Sequence, residues 1–491
     1  MTDLPITRRY AKSLSPTGAR PTGAPDWIEA IDNPYLHGLY APVVDEVEAD
    51  DLPVLGELPR DLFGSYLRNG PNPRFAPLNR YHWFDGDGMV HGVHFENGRA
   101  RYRNRYVRTR GWQTEGEKGA AVWPGVLGPF DFSLPGGPLK DTANTDLIVR
   151  DGQALALWYE SGRPYALDPR TLETRGVETF DGALKVPISA HSKVDPATGD
   201  FVFFGYGLKP PFMRYRVVLP DRSVHRADVE LPGPRRPHDL GVTPNYSILH
   251  DFPVFFDDDL FRRTGKRVPL FHDDVPTRYG VIPRFGDGAD VRWFEFAPCY
   301  MLHVVNCWED GDWVVMLGCR QPDLHLHPDP RDGKLGSMLS GLAIHANLYR
   351  WAMNLRTGET QEGPLDDAHT EFPMLAPGAL GRRNRWAWHQ QIPHEVPATF
   401  DALVKYDLTD GSATRYRYGE GVYGSEAPFA PRPGATDEDD GWLLTFVTDV
   451  KDWSSACWVF DARDVEAGPV AKVKLPRRVP AGFHAAWAPG A

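Results

Sequence analysis

From about Leu58 the chain is patterned in short runs of β-branched and aromatic residues, among them FVFFGYG, RWFEFAP, DWVVML, RWAWHQ and GWLLTFV. Each run closes on turn residues, which is how strands read, and long stretches of helical periodicity are scarce. The pattern therefore predicts an all-β fold. Turn dipeptides fall at Asn97-Gly98, Asp151-Gly152, Thr198-Gly199, Asp310-Gly311, Thr357-Gly358 and Asp410-Gly411. They recur at roughly fifty residues, with one interval about twice as long, as four-stranded propeller blades with loops would. No WD or kelch signature accompanies the spacing, so the pattern alone leaves a β-propeller and a pair of β-sandwiches both open.

Composition narrows the class. Hydrophobic residues make up 41% of the 491 and charged residues 24%, which is enough apolar surface for a substantial core. The 48 glycines and 46 prolines are scattered too evenly to mark a linker. The expected organisation is a flexible arm over residues 1–30, rich in Pro, Gly and Ser, followed by one domain over residues 31–491. A net charge of −12, with no basic block interleaved with aromatics, argues against a nucleic-acid partner. Cys299, Cys307, Cys319 and Cys457 form no CxxC pair and read as reduced thiols. The N-terminus has basic residues but no apolar h-region, and no run is long enough to span a bilayer. A cytoplasmic protein is expected, with any membrane contact peripheral; Phe252 to Leu270, where aromatics stand beside Arg and Lys, is the segment for it.

The candidate chemistry lies in histidines. Of 17, four stand at the end of a β-type run before a turn: His191 in ISAHSKVDP, His238 in RPHDLGVTP, His303 in YMLHVVNCWEDGD and His484 in AGFHAAWAP. They are too far apart for a helical or finger site, yet the inner strands of a propeller would bring them together at its axis. Imidazole ligands suit Fe, Zn, Cu or Ni rather than Mg or Ca. Four neutral ligands leave a metal's charge uncompensated, a task for carboxylates that accept the remaining ring N–H groups. Glu160 in ALALWYE, Glu371 in EFPML and Glu426 in VYGSEAPF each interrupt an apolar stretch and qualify, although a solvent-facing strand end fits each of them equally. His250, in SILHDFP, shares an HD dipeptide with His238; the GVTPNY that follows favours His238.

These residues sit within ordered motifs: RNGPNP at Arg68–Pro73, WFDGDGMVHG at Trp83–Gly92, NRYVRTRG at Asn104–Gly111, DTANT at Asp141–Thr145, SAHSKVDPATGD at Ser189–Asp200, APRPGATDEDDGWLL at Ala430–Leu444, and a closing VAKVKLPRRVPAGFHAAW. Over nearly its whole length the chain resembles the carotenoid cleavage oxygenases, a family that includes apocarotenoid oxygenases, lignostilbene dioxygenases and the retinal pigment epithelium isomerase. The resemblance implies a seven-bladed β-propeller under a dome of long loops and short helices. It implies that His191, His238, His303 and His484 hold one Fe(2+) per chain, that Glu160, Glu371 and Glu426 orient three of them, and that the Thr145 side chain lies near an open coordination position.

The implied reaction is cleavage of a conjugated carbon–carbon double bond by O2 into two carbonyl products, the partners being a small hydrophobic conjugated substrate and dioxygen. No GxGxxG follows a strand, so no nicotinamide or flavin is called for. Members that act on phenols typically carry Lys immediately before the glutamate matching Glu160, and Tyr after the VRT motif; here those positions are Tyr159 and Val126. That departure favours a carotenoid or apocarotenoid substrate. A phenolic alkene of the stilbene, isoeugenol or vinylguaiacol type is the alternative, and a non-redox propeller binding protein or metal-dependent lactonase lies further off. Cleavage position would be set by loops such as Pro210–Phe212 and Gln321–Ile344.

Overall fold

The structure is a computed structural model that describes residues 20–490 apart from 161, 185, 257–258, 260–261, 264–268, 325–343 and 394–398. Most of the expected arm, much of the Phe252–Leu270 segment and most of the Gln321–Ile344 loop therefore lie outside the described residues.

Strands dominate; the α-helix Arg110–Lys118 is N-capped by the Thr109 side chain, which accepts from Trp112 N. Successive strands pair antiparallel with their neighbours in sequence, giving four-stranded sheets built from 146–177, 193–230 and 241–296, and larger ones beyond. The largest has seven strands. Its long strand Thr360–Met374 pairs with Asn347–Asn354 mainly through residues 360–364, and with Trp386–Gln391 through residues 370–374.

The sheets are stacked face to face in a ring. Leu155 and Leu157 of one sheet pack on Phe201 and Phe203 of the next; Val202 and Tyr215 pack on Leu249 and Ile282; Ile248 and Tyr279 pack on Met301, Val314 and Trp351. The series continues through Leu317 and Leu348 against Val404 and Tyr406, and Trp388 and Leu403 against Phe429 and Leu443. Tyr66, Val93 and Tyr102 then meet Leu444, Phe446 and Val459, and Leu67 and Val90 meet Leu147 and Ala154, which returns the ring to its start. This is a β-propeller, and the stacking explains the sequence pattern. Inner strands are covered on both faces, so Gly64–Pro71 is buried along its entire length, while an outer strand such as Val224–Glu230 alternates toward solvent. The ring is tied by pairing the C-terminal strand Ala485–Pro489 with Gly64–Pro71.

Two expectations change. All six turn glycines adopt positive φ, but Gly311 and Gly358 serve one sheet and the sheet around 241–296 has none of the six, so the fifty-residue spacing does not mark one turn per blade. The last third of the expected arm is also packed rather than free: Asp26–Ala30 is a 3-10 turn whose Ile28 lies in a cluster with Tyr35, Tyr40, Trp83 and Trp453.

Trp351 is fully buried, with its ring 5.5 Å from that of Tyr279 across a sheet interface. Trp351→Ala should cost about 3–5 kcal/mol, read as a lower midpoint of denaturant unfolding.

Candidate metal centre

One edge strand of each sheet faces the middle of the ring, and several of these edges touch one another, among them Asp146–Arg150 with Ala485–Pro489 and Gly241–Val242 with Tyr300–Asp310. The candidate residues sit on these edges. His191 directly precedes Lys193–Val194, His238 precedes Gly241–Val242, His303 lies in Tyr300–Asp310, Glu371 in Thr360–Met374, Glu426 before Phe429–Pro431, and His484 before Ala485–Pro489. A Cβ at Gly241 would come within 2.4 Å of Cys307 Sγ, so only glycine lets the edge following His238 approach the edge bearing His303 this closely.

The four imidazoles meet. Ring centroids are 4.6 Å apart for His191 and His238, for His191 and His484, and for His303 and His484; they are 4.9 Å apart for His191 and His303, and 5.2 Å for His238 and His303. Ligand-type nitrogens of His191, His238 and His303 all lie within 4.8 Å of one another. The Nε2 atoms of His191 and His303 are buried without a hydrogen-bond partner. Such atoms are costly unless something else engages them, and a metal ion does so. Burial, then the neighbouring imidazoles, hold His191 and His238 well below the usual histidine range, and burial lowers His303 to about 3. These rings are neutral at physiological pH, the form that ligates a metal. His484 differs: burial lowers it, but Glu426, with Asp146 and Glu371, outweighs burial and leaves it raised.

Carboxylates stand behind the rings. His303 Nδ1 is 2.5 Å from Glu371 Oε2, which also accepts from Phe372 N at 2.8 Å. His484 Nδ1 is 3.0 Å from Glu426 Oε1, and the other oxygen of Glu426 accepts from Ala485 N. Burial pushes Glu371 up to about 8. Thr145 is buried beside this group; its Oγ1 donates to Asn144 Oδ1 and accepts from Tyr159 N, and its carbonyl accepts from His484 N.

Glu160, the third glutamate singled out from sequence, is placed differently. Its carboxylate pairs with Arg236, while His238 Nδ1 is buried with no hydrogen-bond partner. Arg236 comes from the segment that leads into His238, and its guanidinium lies 5.6 Å above the Tyr159 ring. Nothing in the sequence flagged it, since one arginine in LPGPRRPHD reads as a surface turn charge. Asp146 was also passed over, yet it lies among the imidazoles: its Oδ2 is 3.2 Å from His191 Nδ1. His250 is buried against Phe252 and Tyr279, outside the imidazole group.

Aromatic faces complete the surroundings. Phe372 stacks on His484 at 4.7 Å and meets Phe400; Tyr159 lies 4.5 Å from His238 and meets Phe84.

A propeller with buried histidines gathered at the meeting point of its sheets defines the class, a metal-site β-propeller, and the comparisons give the family. The family described as retinal pigment epithelial membrane protein matches residues 40–489. A carotenoid 9,10(9',10')-cleavage dioxygenase 1 of Arabidopsis thaliana is 36% identical over 488 residues, covering 92% of this chain and 89% of its own. An isoeugenol monooxygenase of Pseudomonas nitroreducens is 31% identical, covering 93% and 98%. Among solved structures, lignostilbene dioxygenase of Pseudomonas brassicacearum superposes with a TM-score of 0.82 at 29% identity over 93% of this chain and 99% of that one. A cobalt-substituted ACO of Synechocystis gives 0.80 at 27% identity over 91% and 97%. The chain belongs to the carotenoid cleavage oxygenase family.

His303→Ala should abolish metal retention, and Glu371→Gln should lower metal affinity about 10–100-fold. His250→Ala should leave the metal-to-protein ratio after dialysis unchanged.

Proposed function

We propose that this chain is a non-haem Fe(2+)-dependent dioxygenase that cleaves a conjugated carbon–carbon double bond of a carotenoid or apocarotenoid with O2 to give two carbonyl products. The observation that carries this reading is the convergence of four buried imidazoles, two of them with unpartnered Nε2 atoms, beside aromatic faces. An all-nitrogen, neutral donor set with carboxylates behind it fits a ferrous ion. His191, His238, His303 and His484 hold one ion per chain. When bound, that iron supplies the binding and activation of dioxygen.

The chain's own residues do the rest. Glu371 and Glu426 fix the rings of His303 and His484 through Nδ1, which leaves Nε2 as the ligating atom. Thr145 ties the His484 backbone to that of Tyr159 and so holds two walls of the site in register. Phe372, Phe400, Tyr159 and Phe84 exclude water and offer π-faces to a conjugated chain. Counting the seven-stranded sheet as two blades that share Thr360–Met374 supports a seven-bladed propeller.

A second reading is cleavage of a phenolic alkene. The observation in its favour is Arg236, which brings a cation next to Tyr159, the position where phenol-cleaving members carry Lys. Its charge is engaged by Glu160, however, which supports the carotenoid reading. No helix among the described residues is long and apolar enough to cross a membrane. Four buried free thiols suit a reducing cytoplasm, and Leu127, Phe130 and Phe132, exposed by 43%, 37% and 77%, form a patch for peripheral contact with a lipid surface where such a substrate would be collected.

Iron-loaded protein should consume oxygen faster with an apocarotenal than with 4-hydroxystilbene or isoeugenol, and mass spectrometry should identify paired carbonyl products. Faster turnover of the phenols would transfer the assignment to the second reading, and no oxygen uptake with any of them would remove both. Phe132→Ser should weaken flotation with neutral phospholipid vesicles; unchanged flotation would rule out the patch.

A further inference from the structure

We propose that Asp146 is the positioning carboxylate of His191, a third acidic group behind the imidazoles beside Glu371 and Glu426. The inference rests on the metal-centre reading above.

Its basis is a shared geometry. Glu371 engages an imidazole Nδ1 and a neighbouring backbone N–H together, and so does Glu426. Asp146 resembles this arrangement from a different edge strand: Oδ2 accepts from the His191 backbone N–H at 3.0 Å and lies 3.2 Å from His191 Nδ1, in electrostatic contact with the ring. Its other oxygen, Oδ1, accepts from Leu147 N at 2.7 Å. Both oxygens are thus engaged by donors, and the residue is placed to orient the ring rather than to ligate.

A second observation is independent of the ring contact. His191 has φ of +62°, in the left-handed region that costs a residue with a side chain energy unless its surroundings enforce it. The backbone N–H that this conformation presents is the one Asp146 accepts. Phe372, whose N–H is bound by Glu371, is also left-handed, with φ of +53°. In both places a buried carboxylate holds a strained turn and an imidazole at once. Asp146 is 7% exposed and His191 3%, so water offers no ready substitute.

The test is cobalt(II) titration of the metal-free full-length chain, with thermal melting of the same metal-free preparations. Asp146→Asn keeps the side-chain volume and the cap on Leu147 but turns an amide N–H toward two donors of His191. Asp146→Ser keeps a cap and reaches neither. Both variants should melt within a few degrees of the parent, bind cobalt about 10–100-fold more weakly, and show a shifted visible absorption band. Parental affinity and an unshifted band in either folded variant would overturn the proposal. So would metal-free variants that no longer fold, because Asp146 would then be a structural clamp only. His303→Ala separates the two levels: if it too keeps parental cobalt affinity, the metal-centre reading falls; if it alone loses affinity, only the role of Asp146 does.

Discussion

Four imidazoles are buried with neighbouring ring centroids about 5 Å apart, and carboxylates are buried behind them; the charge balance of that group is the constraint on which the rest of the structure depends. Desolvation and mutual repulsion keep His191, His238 and His303 neutral, while the Glu371 carboxyl is lifted to about 8 by the same burial. Acidic groups thus stand near three uncharged rings, and His484 alone is raised toward its charged form, so the centre is short of positive charge. A divalent cation would supply it, engage the unpartnered Nε2 atoms of His191 and His303, and let the carboxylates ionise in place. Without such a guest, the burial would be a large cost with no return.

The propeller is the scaffold that makes this arrangement possible. Its sheets pack through apolar faces on both sides, so every sheet presents an edge inward, and each edge can deliver one side chain to a shared centre without a long loop. Rigidity follows from the same packing. Histidine-bearing edges are clamped by neighbours, as where Gly241, after His238, passes close to Cys307, and the ring is locked by the pairing of Ala485–Pro489, immediately after His484, with Gly64–Pro71. The strand that closes the fold also carries one corner of the site, so stability of the ring and geometry of the centre are linked.

Much of this was legible in the sequence, for identifiable reasons. The strands announced themselves because several strands covered on both faces, such as Phe201–Tyr206 and Gly441–Asp449, are written as mostly apolar runs, and a buried glutamate stands out against a locally apolar stretch, as Glu371 and Glu426 do. The histidines were separable from His250 only by surrounding motif, since periodicity says nothing about which strand edge faces an axis. Asp146 was not legible. It follows Asp-Thr-Ala-Asn-Thr, a stretch that reads as an ordinary polar turn, and its importance depends on a left-handed residue 45 positions later. Turn spacing misled for a related reason, because hairpin glycines record where strands reverse and not where one sheet ends.

Glu160 shows how a correct residue can have an unexpected partner. Sequence marks it as a charge within an apolar run, but cannot show that Arg236, arriving from another sheet, will compete for it. The pair is mostly buried, with side chains 20% and 14% exposed, a setting in which a charge-assisted contact outweighs a neutral imidazole N–H as a partner for a carboxylate. Arg236 also adds a repulsive charge next to His238, which reinforces the neutrality that burial already imposes on that ring. Glu371 and Glu426 hold His303 and His484 from behind, whereas His238 is held by packing against the tilted Tyr159 ring and by its place in the chain. The His303 and His484 quadrants of the centre are therefore fixed by carboxylates, and the His238 quadrant by packing. That quadrant is also where Tyr159, Tyr300 and Arg236 gather, so the least tethered ligand adjoins the most polar wall.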